Sequence, residues 1–259
     1  MTRHPQHRVP MRTNNPVLSK FADTARNTFG LVAPGAMTVA GTAGKALLLL
    51  AVVIFSASIT WQQVANGRLD LVGPAMLVGG LGGFVFALAT SFRPQWARFT
   101  APIYASLEGI FLGAVSALYN ARFAGLPQQA VLLTFGVAAG VLVLYRLRVL
   151  RATPMFQRML FGAMMGIGLF YLGSFVLSLF GVQIGYFTSN SMLAIGINVA
   201  IAGVAALNHV LDFDRIEEGA RMGAPKAMEW FAAFGLMVTL IWLYLELLRL
   251  LSRLQGRRD

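Results

Sequence analysis

The amino-acid sequence predicts an all-α membrane protein, a bundle of seven transmembrane helices. Of the 259 residues, 57% are hydrophobic and only 12% are charged, whereas about 25% of an ordinary soluble domain is charged. The apolar residues form blocks of about 20, the length at which a helix crosses the hydrocarbon core of a bilayer. Breaks rich in glycine and proline separate these blocks. A transmembrane β-barrel is excluded, because its strands would be about 10 residues long and would alternate in polarity.

The chain divides into an amino-terminal arm and a membrane domain. Residues 1–43 begin as a polar, basic, proline-interrupted stretch and are expected to form a disordered or interfacial arm, in which Val17–Phe29 is a candidate interfacial helix. No secretory signal is expected, because the first long apolar run begins near Ala46 and lacks a cleavage site. Residues 44–259 form the membrane domain, with predicted spans at 46–65, 71–92, 99–120, 128–149, 159–180, 191–211 and 230–254.

The distribution of basic residues predicts the orientation. The formal charge of +11 is carried by 18 arginines and three lysines. Counted over the predicted topology, 15 of them lie on the side of the arm and 6 on the other side, so the arm is expected to be cytoplasmic. The basic loops are expected to lie against anionic lipid, and no nucleic acid partner is expected. The basic carboxyl end does not fit this rule: either the last segment breaks it, or one apolar segment does not cross completely.

Glycine pairs at i and i+4 predict close packing between helices. In lipid, small residues let two backbones approach, so that van der Waals contact replaces the missing hydrophobic drive. The pairs are Gly79 and Gly83, Gly109 and Gly113, Gly136 and Gly140, and Gly162 and Gly166.

The sequence argues against an enzyme and against a bound cofactor. It contains no cysteine and only three histidines, two of them in the arm, so it lacks the paired histidines of intramembrane zinc chemistry. Ser174 and His209 could be nominated for serine proteolysis, but Ser174 lacks the flanking glycine pattern. The last span contains no lysine that could carry a retinal.

Acidic residues at membrane depth are the strongest candidates for function, because burying a charge in lipid is costly. Of the ten acids, Glu108, Asp212 and Glu246 fall within or at the end of spans. The other seven, including Asp214, Glu217, Glu218 and Glu229, are expected to contact water. Structural alternatives remain open for each candidate. Glu246 could be neutralised by Arg249 at i+3, Asp212 could be an interfacial acid, and Glu108 could be protonated and hydrogen-bonded to a neighbouring helix.

Five segments, in this order along the chain, carry a resemblance to a known protein family. They are PIYASLEGIFLGAVSALY, QQAVLLTFGVAAGVLVLYR, FYLGSFVLSLFGV, AALNHVLDFDRIEEGA and GAPKAMEWFAAFGLMVTLIWLYLELLRLLSRL. Over residues 17–254 the chain resembles the bacterial Bax inhibitor-1 / YccA family. The resemblance implies a seven-helix bundle of the inner membrane, in which six helices wrap a central last helix. It also implies a pH-sensitive Ca²⁺ leak channel, gated by one acid at the end of the sixth helix and another in the seventh.

The acids that match this implied gate are Asp212 and Glu246. If they lie close, they share a proton, titrate as a coupled pair and offer transient oxygen ligands to Ca²⁺. Arg93 and Arg249 are candidate counter-charges, and Glu108 is a secondary intramembrane acid. On a straight helix from Trp230, Glu246 would lie about 24 Å up the span, too far from Asp212. We therefore expect residues 229–234 to lie flat at the interface, with a break near Gly235 as the alternative.

Two other functions compete with the channel. The resemblance also implies a regulator of a membrane-anchored AAA protease, for which the arm at 1–43 would be the working part. A proton-coupled transporter is the third possibility. The expected partners are therefore the lipid bilayer, Ca²⁺ and H⁺, with a membrane protease as an alternative partner.

Overall fold

Seven long helices make up almost all of the structure, a computed structural model that describes residues 35–182 and 191–257. The candidate helix at Val17–Phe29 and most of the predicted arm lie outside these residues. Within them the backbone forms no strand beyond one isolated bridge between Ala36 and Pro225. The helices are α1 (Val39–Ala65), α2 (Val72–Phe92), α3 (Ala97–Arg122), α4 (Leu126–Arg146), α5 (Pro154–Leu179), α6 (Met192–Arg221) and α7 (Met228–Gln255).

The helix ends differ from the predicted spans mainly in α1 and α6. Helix α1 begins at Val39, inside the predicted arm, because the Thr38 hydroxyl caps it by accepting a hydrogen bond from the Gly41 N–H. Helix α6 continues ten residues beyond the predicted span, to Arg221. This last part is charged but still helical, with Glu218 and Arg221 paired at i and i+3. Hydrophobicity therefore marks where the apolar part of α6 ends, and the helix continues beyond it.

All seven helices are long and apolar enough to cross a bilayer, and the protein is a multi-pass membrane protein. Successive helices run in opposite directions. The start of α1 lies beside the start of α7, where the Met37 N–H donates to the Ala224 carbonyl at 2.7 Å. We call the end of the bundle where α1, α3, α5 and α7 begin the proximal end, and the opposite end the distal end.

Helix α7 lies at the centre of the bundle, as the resemblance implied. Helices α1, α3, α4 and α6 pack directly against it, whereas α2 packs on α3 and α5 packs on α6. Helix α5 also reaches α7 through the Tyr171 side chain. Large apolar side chains on α2 and α5 face outward, as expected for helices that contact lipid.

The glycine pairs divide into two groups. A β-carbon at Gly109 would lie 2.5 Å from the Val53 carbonyl oxygen, and one at Gly113 would lie 2.4 Å from that of Ala57, so α1 and α3 approach as closely as glycine permits. Gly79 likewise faces the backbone of α3, whereas Gly83 faces the side chains of Glu108 and Tyr104 on that helix. Close packing is not found for the remaining pairs, whose β-carbon positions have no neighbour within 4 Å in the part of the chain that the structure describes: Gly136, Gly140, Gly162 and Gly166.

The basic carboxyl end lies at the distal end of the bundle, because α7 is one continuous helix that begins at the proximal end. Two of its arginines are not loop charges. Arg249 pairs with Glu246, and Arg253 is 4% exposed and donates to the Ala194 carbonyl at 2.7 Å. The basic carboxyl end therefore departs less from the positive-inside rule than the number of its arginines in the sequence suggests.

Candidate functional site

A stripe of polar side chains on α7 faces α6 through most of the thickness of the bundle. Thr239, Glu246 and Arg253 recur every seven residues, so they lie on one face of the helix, about 10 Å apart along its axis. All three are buried. Each has a partner on α6, which places charged and polar groups at several depths between two apolar helices.

The distal level of this stripe surrounds Glu246, which is 2% exposed. Its carboxylate accepts hydrogen bonds from the Tyr171 hydroxyl of α5 at 2.7 Å, from Asn198 Nδ2 of α6 at 2.8 Å, and from Arg249 Nη1 at 2.9 Å. The Arg249 guanidinium also donates to the Tyr171 hydroxyl at 2.8 Å. One carboxylate thus joins α5, α6 and α7, and a positive charge one helical turn away balances it.

The proximal level surrounds Asp212, which is 7% exposed. Its carboxylate accepts one hydrogen bond, from the Thr239 hydroxyl of α7 at 2.7 Å. No lysine or arginine lies within salt-bridge distance of Asp212 in the described ranges. His209, one turn earlier on α6, is fully buried; its Nδ1 lies 3.1 Å from the Ala205 carbonyl, and its Nε2 has no hydrogen-bond partner among the described residues.

The structure does not bring Asp212 and Glu246 together. Asp212 lies opposite Thr239, seven residues before Glu246 on α7, a separation of about 10 Å along the helix axis. Buried apolar side chains lie between the two levels, namely Ala202 and Ala205 of α6 and Leu243 of α7. We call these three residues the apolar layer. The expected sharing of one proton and of one Ca²⁺ ion has no counterpart in this arrangement.

The proposed flat segment at the start of α7 is wrong. Helix α7 runs without interruption from Met228 to Gln255, through both residues 229–234 and Gly235. The continuous helix carries Glu246 far above the level of Asp212, which is the consequence that the straight-helix spacing predicted.

The two candidate counter-charges occupy different places. Arg249 lies in the distal level, paired with Glu246. Arg93 follows the last residue of α2, is exposed, and stacks over the Trp96 ring with its guanidinium carbon 5.8 Å from the ring centroid. Among the described residues it forms no ion pair with Asp212 or Glu246.

Glu108 lies outside this interface, between α3 and α2. Its carboxylate borders Gly83, where a β-carbon would approach Glu108 Oε2 to 2.9 Å. The expected hydrogen bond to a neighbouring helix is not formed within the described part of the chain. The small residue on α2 makes room for the carboxyl group at this different helix pair.

Glu229 was expected to contact water, and this was wrong, because its side chain is fully buried. It pairs with Lys45 of α1 and accepts hydrogen bonds from the backbone N–H and the hydroxyl of Thr38 at 3.0 and 3.1 Å. The carboxylate therefore sits at the amino terminus of α1, where the helix dipole favours a negative charge. Gly41 leaves it room, since a β-carbon there would lie 2.2 Å from Glu229 Oε1.

The neutral partners of the buried acids are not among the residues predicted from the sequence. Asn198, Tyr171 and Thr239 are polar residues inside apolar spans, and that position was the available signal. Lys45 and Glu229 were missed for another reason. They flank spans, where charged residues are expected to contact water, and the tertiary fold alone brings them together.

No group of three or more histidine, cysteine, aspartate or glutamate side chains converges on a metal position within residues 35–182 and 191–257. The oxygen atoms at each level are few. They suit a passing ion better than a tightly held one, because stable Ca²⁺ sites use six to eight oxygen ligands.

Seven apolar helices with acids buried against a central one define a multi-pass helical membrane protein with an ionisable interior. The sequence matches the model of one protein family, described as Bax inhibitor 1 like, over residues 9–256. The chain therefore belongs to the Bax inhibitor 1 like family. No curated protein and no solved structure matches it.

Proposed function

We propose that this protein is a pH-sensitive cation leak channel of the bacterial inner membrane, with Ca²⁺ as its principal ion. The observation that carries the proposal is the polar stripe of α7, in which two carboxyl groups lie at membrane depth on either side of the apolar layer. Ionisable groups inside spans are costly and mark ion or proton pathways. Membership in the Bax inhibitor 1 like family supports the same conclusion.

The described arrangement corresponds to a closed state of such a pathway. Between the Asp212 and Glu246 levels, Leu243 is 1% exposed and Ala205 is fully buried. Apolar constrictions exclude water and thereby block ions. Opening requires α6 and α7 to separate at the apolar layer, and the hydrogen bonds of the two levels oppose that separation.

Acid favours opening in this proposal. Protonation of Glu246 removes the negative charge that Arg249, Tyr171 and Asn198 are arranged to bind. Hydrogen bonds to an ionised group are roughly twice as strong as neutral ones, so the link between α5, α6 and α7 weakens. Protonation of Asp212 changes less, because its hydrogen-bonding partner is a neutral hydroxyl.

The preference for Ca²⁺ follows from the ligands that an opened pathway would offer. Ca²⁺ binds carboxylate and carbonyl oxygens. Besides the two carboxylates, Asn198 Oδ1 is buried beside Glu246 and has no hydrogen-bond partner in the described ranges. It provides one more neutral oxygen at the distal level.

We also propose that the proximal end faces the cytoplasm. The side of the arm holds 15 lysines and arginines by sequence count, against 6 on the other side. In addition, Arg249 and Arg253 of the minority side are bound inside the bundle. The positive-inside rule then places the start of α1 in the cytoplasm.

The test is Ca²⁺ flux into proteoliposomes that contain a calcium dye, measured across pH. Wild-type flux should rise as the pH falls, and Glu246→Gln should raise flux at neutral pH and flatten the pH dependence. Glu108→Gln is the matched control, because that acid lies between α2 and α3, and its flux should follow wild type. Absence of flux at every pH would contradict the channel and favour the protein-interaction role.

A further inference from the structure

A cavity of about 740 Å³ lies on the side of α7 away from the polar stripe. It separates α1 from α4, and α3 and α7 form its inner walls. Its lining is predominantly apolar, with Val53 of α1, Phe135 of α4 and Leu240 of α7 among the residues that contribute. The cavity belongs to none of the sites described above.

The ends of the cavity differ in polarity. Near the distal end it is bordered by Trp61 and Gln62, in the last turns of α1, and by Gln128 at the start of α4. Tryptophan is enriched at the boundary between hydrocarbon and headgroups, and side-chain amides can both donate and accept hydrogen bonds there. Toward the middle of the membrane the lining becomes Val53 and Leu240. This is the polarity profile of a phospholipid, with its headgroup outside and a chain inside.

The volume and position of the cavity indicate which kind of molecule could occupy it. It falls in the range of about 300–1,000 Å³ that holds small ligands. A transmembrane helix about 10–12 Å in diameter and 30 Å long needs far more space. The exposed side chains around the opening, such as Ile54 and Leu132, are apolar. The opening therefore faces the hydrocarbon region of the bilayer, which consists of lipid acyl chains.

We propose that this cavity binds one acyl chain of a phospholipid from the distal leaflet, with the headgroup at Trp61, Gln62 and Gln128. The chain would lie between α1 and α4 and contact Leu240 and Ile241 of the central helix. Tyr244, whose hydroxyl is 2.7 Å from the Ser116 hydroxyl, would be contacted nearer the headgroup. The site does not depend on the protein's being a channel.

Photocrosslinking tests the proposal, because lipid that merely surrounds the bundle cannot reach the buried part of α7 that lines the cavity. Leu240, Ile241 and Tyr244 are at most 9% exposed. The full-length protein is reconstituted with phosphatidylethanolamine that carries a diazirine at the end of one acyl chain, and crosslinked peptides are mapped by mass spectrometry. We expect crosslinks on α7 at Leu240 and Ile241. A probe with the diazirine near the headgroup should move the crosslinks toward Trp61 and Gln128.

Two cavity-filling variants provide the contrast. Ser58→Trp on α1 and Val131→Trp on α4 each place an indole in the cavity from an exposed position. Each should reduce crosslinking to α7 several-fold while leaving crosslinking to the exposed Phe84 of α2 unchanged. Ala51→Trp, at an exposed position on α1 that does not line the cavity, is the matched control and should behave as wild type.

Three results would overturn the proposal. One is wild-type protein that crosslinks at Phe84 but not on α7. Another is crosslinking to α7 that both filling variants leave unchanged. The third is crosslinking to α7 by the headgroup probe alone. Circular dichroism of each variant establishes that it is folded.

Discussion

The two polar levels between α6 and α7 hold buried carboxyl groups in different ways. Glu246 accepts hydrogen bonds from three side chains on three helices, and one of the donors is an arginine. Asp212 accepts one hydrogen bond from a neutral hydroxyl. Because the apolar layer separates them, each acid responds to its own surroundings. The comparison teaches that the distal level links helices through charge, whereas the proximal level links them through one neutral contact.

The largest expected effect comes from removing the positive charge of the distal level. Arg249→Met leaves Glu246 buried without its ion-pair partner, and such a change typically costs about 3–5 kcal/mol. We expect a loss of that order in the free energy of unfolding, measured by denaturant titration in detergent. Arg158→Met, at an exposed position on α5, is the control and should cost little.

A second substitution identifies the cause of this loss. In the double variant Arg249→Met with Glu246→Gln, no uncompensated charge remains, so much of the stability should return. Equal destabilisation by Arg249→Met with and without Glu246→Gln would show that the arginine acts through packing alone.

A smaller effect is expected at the proximal level. Thr239→Val keeps the shape of the side chain but removes the hydroxyl that donates to Asp212, and leaving a buried acceptor unpaired costs about 1–3 kcal/mol. Thr239→Ser retains the donor and should stay closer to wild type in the same titration. A serine variant as unstable as the valine variant would indicate that the methyl group matters and the hydrogen bond does not.

The smallest expected effect is the interaction between the two levels. Asp212→Asn and Glu246→Gln act at levels about 10 Å apart, and the effects of mutations at that separation usually add within about 0.3–0.5 kcal/mol. The double variant should therefore change the free energy of unfolding by the sum of the two single changes. A double variant no worse than either single one would restore the coupled acidic pair that the family resemblance implied.

The sequence predicts the fold well because each span must satisfy its backbone hydrogen bonds within one helix. The length of each apolar run therefore locates the seven long helices. The capped start of α1 and the charged end of α6 extend beyond the apolar runs that predicted them. The glycine pattern is less informative. It marks Gly109 and Gly113, which lie in close contact with α1, and it equally marks Gly136 and Gly162, which have no neighbour within 4 Å among the described residues. The pattern shows where the surface of a helix permits close approach. Whether another helix lies there depends on the tertiary packing.

The site is predictable only in part, for a related reason. The cost of burial singles out Asp212 and Glu246, and the i, i+3 spacing suggests the pairing of Glu246 with Arg249. The cross-helix partners Asn198, Tyr171 and Thr239 depend on the register between helices, which local sequence does not specify. Glu229 shows the same limit, since Thr38 and Lys45 lie almost two hundred positions away in the chain.

Thiol accessibility at the apolar layer tests the central claim most directly. The chain contains no cysteine, so Leu243→Cys provides a single thiol in the layer, and Leu69→Cys provides one at a position that is 67% exposed. In permeabilised vesicles, labelling of Leu243→Cys by a charged methanethiosulfonate reagent, normalised to Leu69→Cys, should rise as the pH falls. Adding Glu246→Gln should raise it already at neutral pH. A thiol at position 243 that stays unlabelled at a pH where the protein passes Ca²⁺ would contradict the account.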